Sequence, residues 1–248
     1  RGHDEEFAYR ILNQIKGFGD YGFPESHAAS FALLVYISAW LKCHQPAAFY
    51  CGLLNSLPMG FYSPSQLVQD AQRHNIDVRP LDVGISQWDH TLEPSDSAAT
   101  EPALRLGLRM IKGMSVDAAG RIMQAQQQLQ TQQPSQTEQR SFRNAQELAR
   151  MASLNDQQLG FLARSGALYQ LAGHRHQAHW DVTGITAPLP LEQPQAGSGT
   201  CAPQTTVRDP VLQDTITLHA PSVTEDMFND YRYTGLTLGP HPMTLLRE

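Results

Sequence analysis

Apolar residues at Phe7, Ala8, Ile11, Leu12 and Ile15 recur at helical spacing, and Gly17 reads as the stop of a helix over residues 4–16. An uncharged apolar run over residues 28–41 predicts a second, buried helix spanning residues 27–43, opened by Pro24, Glu25 and Ser26. A third helix, rich in Ala, Phe and Leu, is expected over residues 46–55. Ser63-Pro64-Ser65-Gln66 predicts another helix start, with Ser at the N-cap, Pro at the first helical position and Gln at the third; that helix should end near Asn75. Ile76, Val78, Leu81 and Val83 suggest a short strand interrupted by Pro80, and residues 93–102 read as a surface loop. Leu104, Leu106 and Leu108 alternate with Arg105, Gly107 and Arg109, the period of a strand.

Residues 110–123 then read as short helix, glycine-containing hairpin and second helix. A glutamine-rich stretch over residues 124–139 extends that helix into a loop broken at Pro134. Helices follow over residues 144–152 and from Asn155-Asp156-Gln157-Gln158, which has capping-box form; Ser165-Gly166-Ala167-Leu168 makes a second hairpin, with a helix over residues 173–182 behind it. The two halves form a weak tandem repeat of helix, hairpin and helix. Residues 183–222 are rich in Pro, Gly, Thr and Gln and read as a flexible linker; residues 223–233 predict a last helix before a turn-rich terminus. The fold class is mainly α with short β segments.

A length of 248 residues with 41% hydrophobic content supports a real core. The three cysteines, Cys43, Cys51 and Cys201, have no ligand-like pairing and point to a reduced cytoplasmic chain. The apolar run at residues 28–41 is short of the roughly 20 residues a membrane span needs. Starting at Arg1 in mid-pattern, the chain reads as a piece of a longer protein. The net charge of −6 requires any nucleic-acid contact to rest on local basic patches.

The first hairpin supplies such a patch. Helix-hairpin-helix turns aim backbone N–H groups outward, where they hold a phosphate oxygen, and Arg105, Arg109, Lys112 and Arg121 face a single acidic residue, Asp117. The candidate DNA-backbone contacts are Arg109, Lys112, Gly113, Met114, Ser115 and Arg121; Ser115 stands where a second Gly is usual. The second hairpin, Arg164, Ser165 and Gly166, is the weaker candidate. His174, His176 and His179 lie on different helix faces without a carboxylate or cysteine at ligand spacing, so no metal site is expected in the chain. Ser26 and His27 end a small-residue turn at a helix start, a place suited to an anion, and read equally as an N-cap and a satisfied polar residue. Lys42 and His44 read as complements of a helix C-terminus or as DNA-facing. Phe49, Tyr50, Phe61 and Tyr62 read as core aromatics, and residues 224–228 as a helix start. No pair of carboxylates has a spacing that would hold two Mg²⁺ ions.

The stretch from Gly19-Asp20-Tyr21-Gly22-Phe23-Pro24-Glu25-Ser26-His27 to Ala32, with Trp40 to Tyr50 and Leu54 to Tyr62, resembles the fingers of bacterial C-family DNA polymerases, the polymerase III α subunits. Within that family it is most similar to the error-prone, damage-inducible ImuC-type branch. The resemblance implies C-terminal fingers over residues 1–92, a tandem helix-hairpin-helix DNA-binding domain over 103–182, the linker over 183–222, and a lead-in to an absent OB domain over 223–248. It places Ser26 and His27 at the incoming deoxynucleoside triphosphate and leaves the second hairpin largely structural. Pro24-Glu25 departs from the Asn-Lys common in replicative relatives and removes one phosphate partner. The family's catalytic aspartates and their Mg²⁺ belong to a palm outside this sequence, so no catalytic residue is expected here. Implied partners are duplex DNA, a Y-family-like ImuB-type protein with its ImuA-type companion, and a sliding clamp reached through them, with no membrane. The alternatives are a non-enzymatic helix-hairpin-helix module of a repair scaffold and a DNA glycosylase; the latter lacks a Lys after Lys112.

Overall fold

A computed structural model describes residues 4–21, 25–95, 101–131, 141–185 and 216–245, with the side chains of residues 18–26 outside the description. Four helices come first: α1 (Glu5–Tyr21), α2 (Glu25–His44), α3 (Pro46–Asn55) and α4 (Pro64–Arg73). The strands β1 (Val78–Arg79), β2 (Thr91–Glu93) and β3 (Ala103–Arg105) form a small sheet, and a 3-10 turn spans Leu108–Met110. The helices α5 (Val116–Thr131), α6 (Ala145–Met151), α7 (Asp156–Ser165), α8 (Tyr169–Ala172) and α9 (Arg175–Thr183) follow, then α10 (Val223–Tyr233) and α11 (Pro242–Leu245).

Two cap signals in the sequence act as read: Ser63 and Gln66 close a capping box on α4, and Asn155 and Gln158 one on α7. Ser222 and Glu225 close a third on α10, although Ser222 falls at the end of the stretch expected to be linker. Each box satisfies two amides that no helical carbonyl can reach. Residues 224–228 lie inside α10, as expected of a helix start. The helix α1 runs through Gly17 to Tyr21; a single interior Gly costs only about 1 kcal/mol relative to Ala and does not end a helix by itself.

The sheet has the order β1-β3-β2, with β1 parallel and β2 antiparallel to the central strand. The loop expected over 93–102 thus begins with the last residue of β2. All of β3 is buried, against the alternation expected for Arg105. Glu93 is the reason: Arg105 donates Nε and Nη2 to its two oxygens, at 2.9 Å each, and Nη1 to the carbonyl of Pro80 at 2.8 Å. Burial raises the Glu93 carboxyl, but Arg105 and Arg79 outweigh it and hold the group below its ordinary range.

One core cluster joins Tyr50 and Leu54 of α3, Val68 of α4, Leu104 of β3, Ile122 of α5, Leu148 of α6, Leu159 and Leu162 of α7, and Leu236 after α10. The helix α2 stays outside it. Leu33, Val35 and Tyr36 are each more than half exposed, contrary to the buried helix expected. An apolar run forms a helix by local bonding, but burial needs an opposing surface, and α2 packs mainly on α3, with its last turn also reaching Asp70 of α4. Of the aromatics expected in the core, Tyr50 is buried, while Phe61 and Tyr62 project into solvent. Lys42 caps nothing: its ammonium pairs with Asp70 at 2.9 Å, and Tyr50 donates its hydroxyl to the same carboxylate.

Candidate nucleic-acid interface

The first hairpin is hung from the sheet by close backbone contact. Leu108 N–H donates to Gln87 O at 2.7 Å, Arg109 N–H to Trp88 O, and Gly107 N–H to the ring Nδ1 of His90 at 3.2 Å. A Cβ at Gly107 would sit 2.4 Å from the carbonyl oxygen of Trp88, so only Gly fits. Met114 N–H returns to Ile111 O and closes the turn. Gly113, at its tip, has φ +89° and lies under the ring of Phe161 from α7; a Cβ there would meet the ring at 2.7 Å. Both the dihedral and the space demand Gly.

Ser115 then opens α5, its Oγ accepting the amide of Ala118 at 3.2 Å. The amides of Ser115, Val116 and Asp117 have no acceptor among the described residues. Three N–H groups without an acceptor among the described residues stand at the positive end of a 16-residue helix, chemistry that suits an anion. Ser115 therefore serves as a cap where a second Gly would leave one more bare amide. Met114 is buried beneath the turn and acts in packing.

The basic side chains around this turn are arranged in a way the sequence did not disclose. Arg109 donates to Asn55 O at 2.8 Å and Leu57 O at 3.0 Å, at and just beyond the end of α3, and pairs with Asp89 at 2.9 Å. Arg121 donates to Ala152 O at 2.8 Å and to Gln158 Oε1 at 3.2 Å, past the end of α6. Lys112 donates Nζ to Tyr231 O at 3.0 Å and Arg232 O at 3.1 Å in the last turn of α10, while its amide donates to Tyr233 O at 2.9 Å. Each cation meets carbonyls that have no helical donor, where the helix dipole is negative. Arg164 is exposed, its guanidinium 5.9 Å from the ring centre of Tyr233.

The second hairpin turns its donors inward. Gly166, at φ +84°, ends α7: its N–H goes to Ala163 O and that of Ala167 to Leu162 O, a Schellman closure. Ala167 O accepts from Val83 N–H at 2.9 Å, and Ser165 is buried with its hydroxyl on Leu162 O. Arg175 lies over Gly166, donates to Ser165 O, and reaches Asp226 and Asp230 of α10. The charge that locks this hairpin comes from more than 50 residues away in the chain, a pairing no local signal announces.

His27 is exposed near the start of α2, its ring 4.4 Å from that of Phe31; the side chain of Ser26 lies outside the described residues. Cys43 and Cys51 are free thiols, and Cys201 lies outside the described residues. Among the described residues no three His, Cys, Asp or Glu side chains converge as a metal site, and no helix is long and apolar enough to cross a membrane.

A profile of the helix-hairpin-helix motif matches residues 75–178, which contain both hairpins. Proteins named error-prone DNA polymerase match the chain throughout. That of Pseudomonas savastanoi pv. phaseolicola is 50% identical over 250 residues, covering 100% of this chain and 22% of that protein. That of Methylococcus capsulatus is 46% identical over 264 residues, covering 100% and 23%. That of Pseudomonas aeruginosa is 49% identical over 247 residues, covering 100% and 21%. The chain thus spans about a fifth of the length of these relatives. With about half of its residues identical from end to end, the chain is similar to one segment, about a fifth, of proteins named error-prone DNA polymerase, and its own residues 75–178 match the helix-hairpin-helix motif.

Proposed function

We propose that this chain is the part of an error-prone DNA-directed DNA polymerase that grips duplex DNA by its backbone and borders the incoming nucleotide. The observation that carries the reading is the first hairpin: three amides without acceptors among the described residues, at a helix start, inside a chain about half identical to such polymerases. Amides aimed at phosphate read no bases, so this grip suits an enzyme that must hold any sequence behind its active site. Ser115 and the amides after it are the anion-facing groups, with Arg164 adding charge. Arg109, Lys112 and Arg121 hold the surrounding helix ends and position the turn. His27, exposed at the start of α2, faces the nucleotide in this reading, with Ser26 beside it.

The parent activity is template-directed nucleotidyl transfer in damage-induced translesion synthesis, in the cytoplasm. An ImuB-type partner, an ImuA-type companion and, through them, the sliding clamp complete the assembly. For the Mg²⁺ such chemistry uses, the described residues hold no group of three or more His, Cys, Asp or Glu side chains placed to bind it.

The hairpin reading is tested by Val116→Glu. Val116 is 61% exposed and opens α5, so a carboxylate there suits the helix and opposes phosphate. Fluorescence anisotropy with labelled duplexes should show affinity falling about tenfold, equivalent to about 1.4 kcal/mol, for all sequences alike. Unchanged affinity, or a loss confined to some sequences, would refute it.

A further inference from the structure

Three cations from distant parts of the chain converge beside the first hairpin. The Arg164 guanidinium, at the end of α7, lies 5.9 Å from the ring centre of Tyr233, and that of Arg232 lies 5.6 Å from the same centre. Lys112 closes the group, bonded through its amide to Tyr233 O and through Nζ to Arg232 O. Both arginines are exposed, and neither guanidinium has a hydrogen-bond acceptor or a carboxylate among the described residues. This sets them apart from Arg109 and Arg121, whose donors are taken up by carbonyls. The patch is continuous with the hairpin mouth. Phe161 rests on Gly113, and Arg164 stands one helical turn further along the same face of α7.

We propose that Arg164 and Arg232, at 5.9 and 5.6 Å from the Tyr233 ring centre, form a second phosphate clamp that continues the grip of the first hairpin along the duplex backbone. This inference rests on the duplex-binding reading above. Like charges gathered without a counter-carboxylate favour an anion, and a ring face within cation–π range of both guanidinium groups draws them to the same spot. The phosphate backbone is the anion that runs past a hairpin of this kind. Residues of α10, beyond the stretch that matches the helix-hairpin-helix profile, thereby belong to the DNA-binding surface.

The test is duplex binding by the full chain as salt is raised from about 50 to 200 mM. Each phosphate contact contributes about 0.9 to the slope of log K against log salt. Arg164→Ala and Arg232→Ala should each make the slope shallower by about 0.9, so that the affinity lost over this range shrinks about 3.5-fold per arginine. Arg232→Lys should keep the wild-type slope, because the charge remains. Arg150→Ala, exposed on α6, should also keep it and serves as the control. Arg232→Gln repeats the measurement with a longer neutral side chain if the alanine variant folds poorly. An unchanged slope in the folded Arg164 and Arg232 neutral variants overturns the clamp. If Val116→Glu still weakens binding in that case, the hairpin reading stands while the clamp falls; a wild-type chain without duplex affinity removes both.

Discussion

His90 should make the stability of this fold depend on pH in a range where carboxylates are silent. Its ring is 3% exposed, and Nδ1 accepts the amide of Gly107 at 3.2 Å, so the neutral ring carries its proton on Nε2, which has no partner among the described residues. Burial, with repulsion from Arg109 second, lowers its pKa to about 4. The folded pKa lies below the unfolded one, near 6.5. Between these values the unfolded chain takes up a proton that the native one refuses, so stability is full above pH 6.5 and is lost on acidification. The whole shift is worth about 3 kcal/mol, of which about 2 kcal/mol is lost between pH 7 and pH 5. Urea unfolding of the wild type and of His90→Asn at these two pH values isolates the contribution. Asn Oδ1, attached to Cγ as Nδ1 is, can still accept from Gly107 but does not titrate, so the loss over the interval should be smaller by about 2 kcal/mol. Parallel losses in the two proteins would refute the assignment.

Two further outcomes separate packing from binding. Gly113→Ala forces a Cβ into a left-handed residue and against the Phe161 ring, and should cost about 1–3 kcal/mol in thermal unfolding while weakening duplex binding; an unchanged melting temperature would refute the account of the turn. Arg109→Ala removes donors from two carbonyls and the partner of Asp89, and should cost about 2–4 kcal/mol with no change in the salt dependence of duplex binding. A slope shallower by about 0.9 with stability intact would make Arg109 a phosphate contact instead.

The division of labour among the basic residues follows from where helices end. Four helices finish close to the hairpins, and each leaves carbonyls that need donors. Arg109, Arg121 and Lys112 satisfy α3, α6 and α10, and Arg175 satisfies the end of α7. What remains for a ligand is the backbone of the first hairpin and the arginines about Tyr233.

The sequence by itself determined what is local. The bounds of α3 and α10, the start of α4 and two of the three capping boxes were legible because a cap involves residues three apart, and Gly113 and Gly166 marked both turns. The end-to-end resemblance to error-prone polymerases was legible for the same reason: contiguous residues carry it. The tertiary structure decided how each hairpin disposes of its amides, since that depends on what packs on the turn and not on its own residues. It also decided the fate of charge. Arg105 is buried by Glu93, and Arg175 is claimed by a helix on the far side of a proline-rich stretch. An apolar helix such as α2 shows the same limit from the other side. Its hydrogen bonds are local and predictable, whereas its burial depends on a surface that its own residues do not specify.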